Sequence, residues 1–165
     1  MSNIIDLAAR VGHVLRERGL LLATAESCTG GGVGQAITEI AGSSEWYDCG
    51  FITYSNASKT EMLDVPAALL AQFGAVSEEI AGAMAEGALA NSNAHISIST
   101  TGIAGPGGAV PGKPVGTVCF GWSLGNHKHP RTYTERLVFS GDRQAVREQS
   151  VAHALRGLLR FLEQK

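Results

Sequence analysis

Thr24-Ala25-Glu26-Ser27-Cys28-Thr29-Gly30-Gly31-Gly32 joins an apolar run, Leu20-Leu21-Leu22-Ala23, to a helical pattern over 33–40. A strand that enters a helix through a glycine-rich turn leaves backbone N–H groups unpaired at the helix start, where the macrodipole favours negative charge. Such a turn suits an anion, or a carbonyl oxygen becoming an oxyanion. This one also carries a carboxylate (Glu26), two hydroxyls (Ser27 and Thr29) and a thiol (Cys28). We read Ser27 as a candidate nucleophile. Turns of this kind also serve purely to seat a helix on its sheet. The stretch matches neither the phosphate loop nor the dinucleotide fingerprint, and Ala25 stands where the Gly-x-Ser-x-Gly elbow needs its first glycine. Taken alone, it leaves the catalytic and packing roles level.

Working outward, residues 7–18 carry Leu7, Val11, Val14 and Leu15 on one helical face, stopped by Gly19. A second strand is expected over 46–54, and Ser55 is placed to cap a short helix whose first turns hold Lys59. Pro66 opens another helix, and Ser77-Glu78-Glu79 a further one with Ile80, Met84 and Ala88 on one face. The run 95–101 alternates like a strand, and its small polar residues suit a face turned to a helix. The Gly- and Pro-rich stretch 102–108 is a loop, 115–124 a strand, 125–130 a turn and 131–139 a strand paired with its predecessor. Ser140-Gly141-Asp142 caps a long last helix with Val146, Val151, Leu155, Leu158, Leu159 and Leu162 as its stripe. Helices alternating with strands, then a hairpin, make an α/β fold: a three-layer α/β/α sandwich on a mixed sheet, one domain over 1–165.

Composition narrows the function classes. With 44% hydrophobic and 17% charged residues the chain is globular. No apolar run approaches the roughly 20 residues that cross a bilayer, no signal-peptide pattern opens the chain, and neither membrane nor export is expected. Cys28, Cys49 and Cys119 form no paired framework and no metal-ligand spacing, which fits a reducing cytoplasm, with no metal and no cofactor expected. A net charge of −2 argues against a nucleic-acid partner. The 21 glycines gather near 30–34 and 102–112, where backbone is expected to come close to something.

In open α/β sheets the ligand sits beyond the carboxyl ends of the strands. Ser27, the stretch from Tyr54 to Lys59, Thr101-Gly102 and Asp142-Arg143 all fall there. A serine nucleophile needs a base, and His13, His95, His127, His129 and His153 lie in helices, at a strand start or on a distant turn. Lys59 is the candidate base, with its pKa lowered by burial and by a neighbouring cation such as Arg143. Tyr54 is expected to relay or donate a hydrogen bond. Cys28 competes with Ser27, since helix starts activate thiols. As a site residue outside the core, Lys59 is expected to tolerate replacement by Ala within about 1 kcal/mol.

Thr24–Gly31, Gly50–Lys59, Gly74-Ala75-Val76-Ser77, Thr101–Gly108, Lys113–Val118 and Gly141-Asp142-Arg143, in this order, resemble the CinA C-terminal domain family, the bacterial nicotinamide-nucleotide amidohydrolases. The resemblance spans essentially the whole chain and is to the stand-alone form, without the N-terminal domain of many relatives. It implies hydrolysis of the carboxamide of nicotinamide mononucleotide to nicotinate mononucleotide and ammonia, by a Ser–Lys amidase with Ser27 as nucleophile and Lys59 as base. Tyr54, Thr101 and Arg143 match supporting positions, and a homodimer is the family expectation. The oxyanion is expected on backbone N–H groups of Thr29, Gly30 and Gly31, or at Thr101 and Gly102. The substrate phosphate is expected on Arg143 or on the loop 102–108. A nucleotide-binding or partner-binding module of the same fold, without chemistry, is the alternative.

Overall fold

The computed structural model describes residues 2–126 and 128–164. Its sheet has five strands in the order β2-β1-β3-β4-β5. These are β1 (Leu22–Glu26), β2 (Tyr47–Ile52), β3 (Ile96–Gly102), β4 (Thr117–Leu124) and β5 (Arg131–Val138). β1 runs parallel to both β2 and β3, while β3, β4 and β5 are antiparallel. The helices are α1 (Ser2–Arg18), α2 (Gly32–Thr38), α3 (Asn56–Leu63), α4 (Ala67–Phe73), α5 (Glu78–Ala90) and α6 (Arg143–Glu163), with one 3₁₀ turn at Ser43–Glu45. The expected mixed-sheet sandwich is what the chain forms.

Two cores separate the layers. On one face α1, α2 and α6 bury Leu7, Val11, Val33, Ile37, Leu155 and Leu158 against Leu22, Ile98, Phe120 and Trp122. On the other, α3, α4 and α5 bury Leu63, Leu70, Ile80 and Met84 against Ala23 and Ala25. The small polar residues of β3 have a specific use on this second face. Ser97 and Ser99 donate to the α5 carbonyls of Ala85 and Ala81, at 2.6 and 2.5 Å, and Thr101 donates to Ala75 O at 2.8 Å. Every second side chain of the strand thereby bonds the overlying layer, as a period of two requires. Gly121 on the neighbouring strand completes the close approach, because a Cβ there would meet Ala81 O at 2.5 Å.

The element boundaries differ from the sequence reading at one instructive place. β1 does not end at Ala23; it continues through Glu26, which pairs with Ile52 on one side and Thr100 on the other. Thr24, Ala25 and Glu26 thus belong to the strand, and the turn proper starts at Ser27. His127, read as part of a solvated turn, lies outside the described residues. No described helix is long and apolar enough to cross a membrane.

Candidate active site

The carboxyl ends of β1, β2 and β3 lie side by side, and Ser27 leaves the middle one. Its N–H donates to Thr100 O at 3.0 Å, while Thr53 N–H donates to Glu26 O at 2.8 Å, so the chain is stitched to both neighbours as it turns. Gly30 and Gly31 then adopt left-handed φ values of 59° and 102°, a reversal that glycine makes without strain. The turn needs these two residues for its path.

The N-terminus of α2 is already filled. Glu26, 2% exposed, turns its carboxylate onto it. Oε1 accepts from Thr29 Oγ1 at 2.5 Å, Gly31 N at 3.2 Å and Val33 N at 2.9 Å, and Oε2 accepts from Gly34 N at 3.0 Å. The anion that this turn suits is the protein's own. The expectation of oxyanion donors at Gly30 and Gly31 is corrected accordingly: Gly31 N–H is held by Glu26, and Gly30 N–H donates to Ser27 O at 3.0 Å. The Thr29 hydroxyl is likewise committed, donating to Glu26 and facing Thr100 Oγ1 at 2.8 Å inside the protein. Thr101 spends its hydroxyl on Ala75, and Gly102 is wedged against Val118 and Thr117 O.

Lys59 comes from the next β/α unit. Ser55 caps α3 by accepting from Ser58 N at 3.1 Å, which sets Lys59 and Leu63 one turn apart on the buried side. Lys59 is 1% exposed. Its Nζ lies 3.1 Å from Ser27 Oγ, 2.8 Å from Thr53 O and 3.5 Å from Tyr54 O, so all three ammonium donors point at oxygen. Burial lowers its pKa from the ordinary 10.5, and the field of Arg143 expected above is not among the causes. The Arg143 guanidinium is turned elsewhere: Nη1 donates to Gly105 O at 2.8 Å and Nη2 to Tyr54 Oη at 3.2 Å. It ties the 102–108 loop to the exposed Tyr54 ring at the rim. The phenol is therefore joined to Arg143, while Lys59 meets only the Tyr54 carbonyl.

The surroundings of Cys28 disfavour it as the nucleophile. It is buried, and that burial pushes its thiol up to about 12, where almost no thiolate exists at neutral pH. Adjacent residues point different ways, and it is Ser27 that meets the amine.

One residue of this region escaped the sequence reading. Arg147, one turn beyond Arg143 on α6, donates from Nε to Cys28 O at 3.2 Å and from Nη2 to Thr29 O at 3.3 Å. The i, i+4 repeat of arginines was its one sequence signal.

The chain has well-described relatives. Over 161 residues it is 50% identical to the nicotinamide-nucleotide amidohydrolase PncC of Pseudomonas putida, covering 98% of each chain. Over 157 residues it is 48% identical to the protein of the same name from Escherichia coli K12, covering 95% of this chain and 93% of that one. The crystal structure of a competence damage-inducible protein A (ComA) from Klebsiella pneumoniae superposes with a TM-score of 0.92 at 39% identity, covering 98% of both chains. Residues 4–162 match the CinA C-terminal domain, and with a serine–lysine pair at the strand ends and relatives aligned end to end, the chain belongs to that family.

Proposed function

We propose that this protein hydrolyses the carboxamide of nicotinamide mononucleotide to nicotinate mononucleotide and ammonia, through an acyl-enzyme on Ser27 with Lys59 as the base. The observation that carries the mechanism is the 3.1 Å contact between Lys59 Nζ and Ser27 Oγ, with the amine buried. The similarity to named amidohydrolases supports the substrate.

A charged Lys59 donates to Ser27. A neutral one reverses that bond, and the Ser27 O–H donates to the nitrogen lone pair. Ser27 Oγ then attacks the carboxamide carbon while Lys59 takes its proton. The carbonyls of Thr53 and Tyr54 hold the ammonium so formed. Collapse of the tetrahedral species breaks the C–N bond, and Lys59 returns the proton to the departing ammonia. Water repeats the sequence on the ester and frees Ser27. Tyr54 and Arg143 stand at the open rim, where the aromatic face and the guanidinium suit the nucleotide and its phosphate. We carry the rest of the reading with this function: one domain over 1–165, a cytoplasmic location and a homodimer, the last checked by light scattering for twice the mass of one chain.

The test is ammonia release from nicotinamide mononucleotide by the purified protein, with mass spectrometry of the quenched reaction. A nicotinoyl ester on Ser27, absent from Ser27→Ala, is expected. Nucleotide binding without ammonia release would favour the non-catalytic module instead.

A further inference from the structure

An attacked carbonyl needs an amide donor for its oxygen, and the turn leaves few. Gly30 N–H donates to Ser27 O, Gly31 N–H to Glu26, and Gly32 N–H to Thr29 O at 3.0 Å. Among the described residues, the Cys28 N–H has no protein acceptor. Among the described residues, no protein acceptor takes the Thr29 N–H.

Arg147 bears on that group from the other side. It reaches from α6 to two consecutive carbonyls, Cys28 O at 3.2 Å and Thr29 O at 3.3 Å. In a trans peptide the N–H points opposite to the C=O. Drawing Cys28 O toward α6 therefore turns the Thr29 N–H away from α6. The following peptide obeys the same rule, since Thr29 O meets Arg147 and Gly30 N–H turns back onto Ser27 O.

We propose that Arg147 is a positioning residue: by gripping the Cys28 and Thr29 carbonyls it fixes the peptide whose Thr29 N–H receives the oxyanion formed at Ser27. The guanidinium also polarises that peptide, which strengthens the N–H as a donor. Lysine offers a point charge in place of a two-pronged fork and cannot hold both carbonyls in one geometry. The proposal rests on Ser27 being the nucleophile.

The experiment compares steady-state hydrolysis of nicotinamide mononucleotide by the wild type, Arg147→Ala, Arg147→Lys and Ser27→Ala, with thermal melts of each. Arg147→Ala is expected to lower kcat by about 10- to 100-fold, the scale of a misplaced catalytic geometry, with KM held within about twofold. The pH midpoint of kcat/KM stays where Lys59 sets it, and Arg147→Lys recovers only part of kcat. A cleft of about 210 Å³ beside Arg147, lined by Gln35, Glu39, Glu148 and Val151, gives added guanidinium room to restore part of kcat to Arg147→Ala. Wild-type kcat in Arg147→Ala, a loss confined to KM, or a displaced pH midpoint overturns the proposal. Should Arg147→Ala fail to fold, Arg147→Lys decides alone: a lower kcat with an unchanged melt supports it, and an unchanged kcat overturns it. Turnover retained by Ser27→Ala would instead overturn the nucleophile assignment, which separates the two failures.

Discussion

A lysine side chain buried to 1% exposure is costly to keep charged, and Lys59 meets that cost by losing its proton more easily. The sign for catalysis is clear: the proposed base is the neutral amine, so kcat/KM is expected to rise with pH through the lowered Lys59 value and then level. A pH–rate profile checks this, and a flat profile across that range would remove Lys59 as the base. Stability follows the same proton. Between the lowered value and 10.5 the unfolded chain binds more protons than the folded one, so wild-type stability climbs with pH in that window. The penalty is fully present below it. Lys59→Met, which keeps the volume and removes the charge, is expected to be inactive and to lose this rise of stability with pH. Urea titrations at several pH values measure it. Lys59→Ala also opens a cavity, so its cost moves from the roughly 1 kcal/mol expected of a site residue outside the core to about 2–4 kcal/mol. The pairing of Ser27 with Lys59 was legible because serine needs a base and no histidine was in reach. The burial of Lys59 was not, because residues 56–63 hold few apolar neighbours and their pattern did not say which side faces inward.

Glu26 shows what an element demands beyond its own pattern. The sequence placed it in the turn as one more polar group. It is the last residue of β1, and from there its carboxylate serves four donors, Thr29 in the turn, Gly31 at the cap of α2, and Val33 and Gly34 in its first turn. Strand pairing with Ile52 and Thr100 fixes that placement, and pairing partners far along the chain are invisible to a local reading. Glu26→Gln sets an amide N–H₂ against backbone donors and is expected to cost about 1.5–3 kcal/mol, read by chemical denaturation. The same pattern of distant partners joins β5 to α6. His153 Nε2 lies 2.5 Å from Glu135 Oε1, and the ring packs on Phe120. Burial lowers its pKa below 6.5, with the Glu135 bond opposing. As pH falls from 6.5 toward that lowered value the unfolded chain takes the proton first, so stability is lost on acidification. His153→Gln is expected to flatten that part of the melting-temperature profile.

Across the whole molecule, the three-stranded parallel part of the sheet carries Ser27 and Lys59, the proposed nucleophile and base, on adjacent units, and the antiparallel hairpin returns the chain so that α6 starts at the same end. The alternation of helix and strand made this layering readable. The role of the glycines was only half readable. Clusters near 30–34 and 102–112 mark loops, but Gly87 and Gly121 sit inside α5 and β4, where they set how closely layers approach. A Cβ on Gly87 would collide with Leu63 O, one turn from Lys59. Gly87→Ala is expected to destabilise by about 1–3 kcal/mol and to lower kcat by shifting α3, checked by a melt and an assay on the same preparation. Finally, the carboxylate of Glu26 gives the mouth of α2 a resident counter-ion. Sulfate, citrate or inorganic phosphate in a buffer has no vacancy there to occupy, so slowing of the enzyme by such salts is expected to arise at its exposed arginines, Arg143 and Arg147, and not at the mouth of α2.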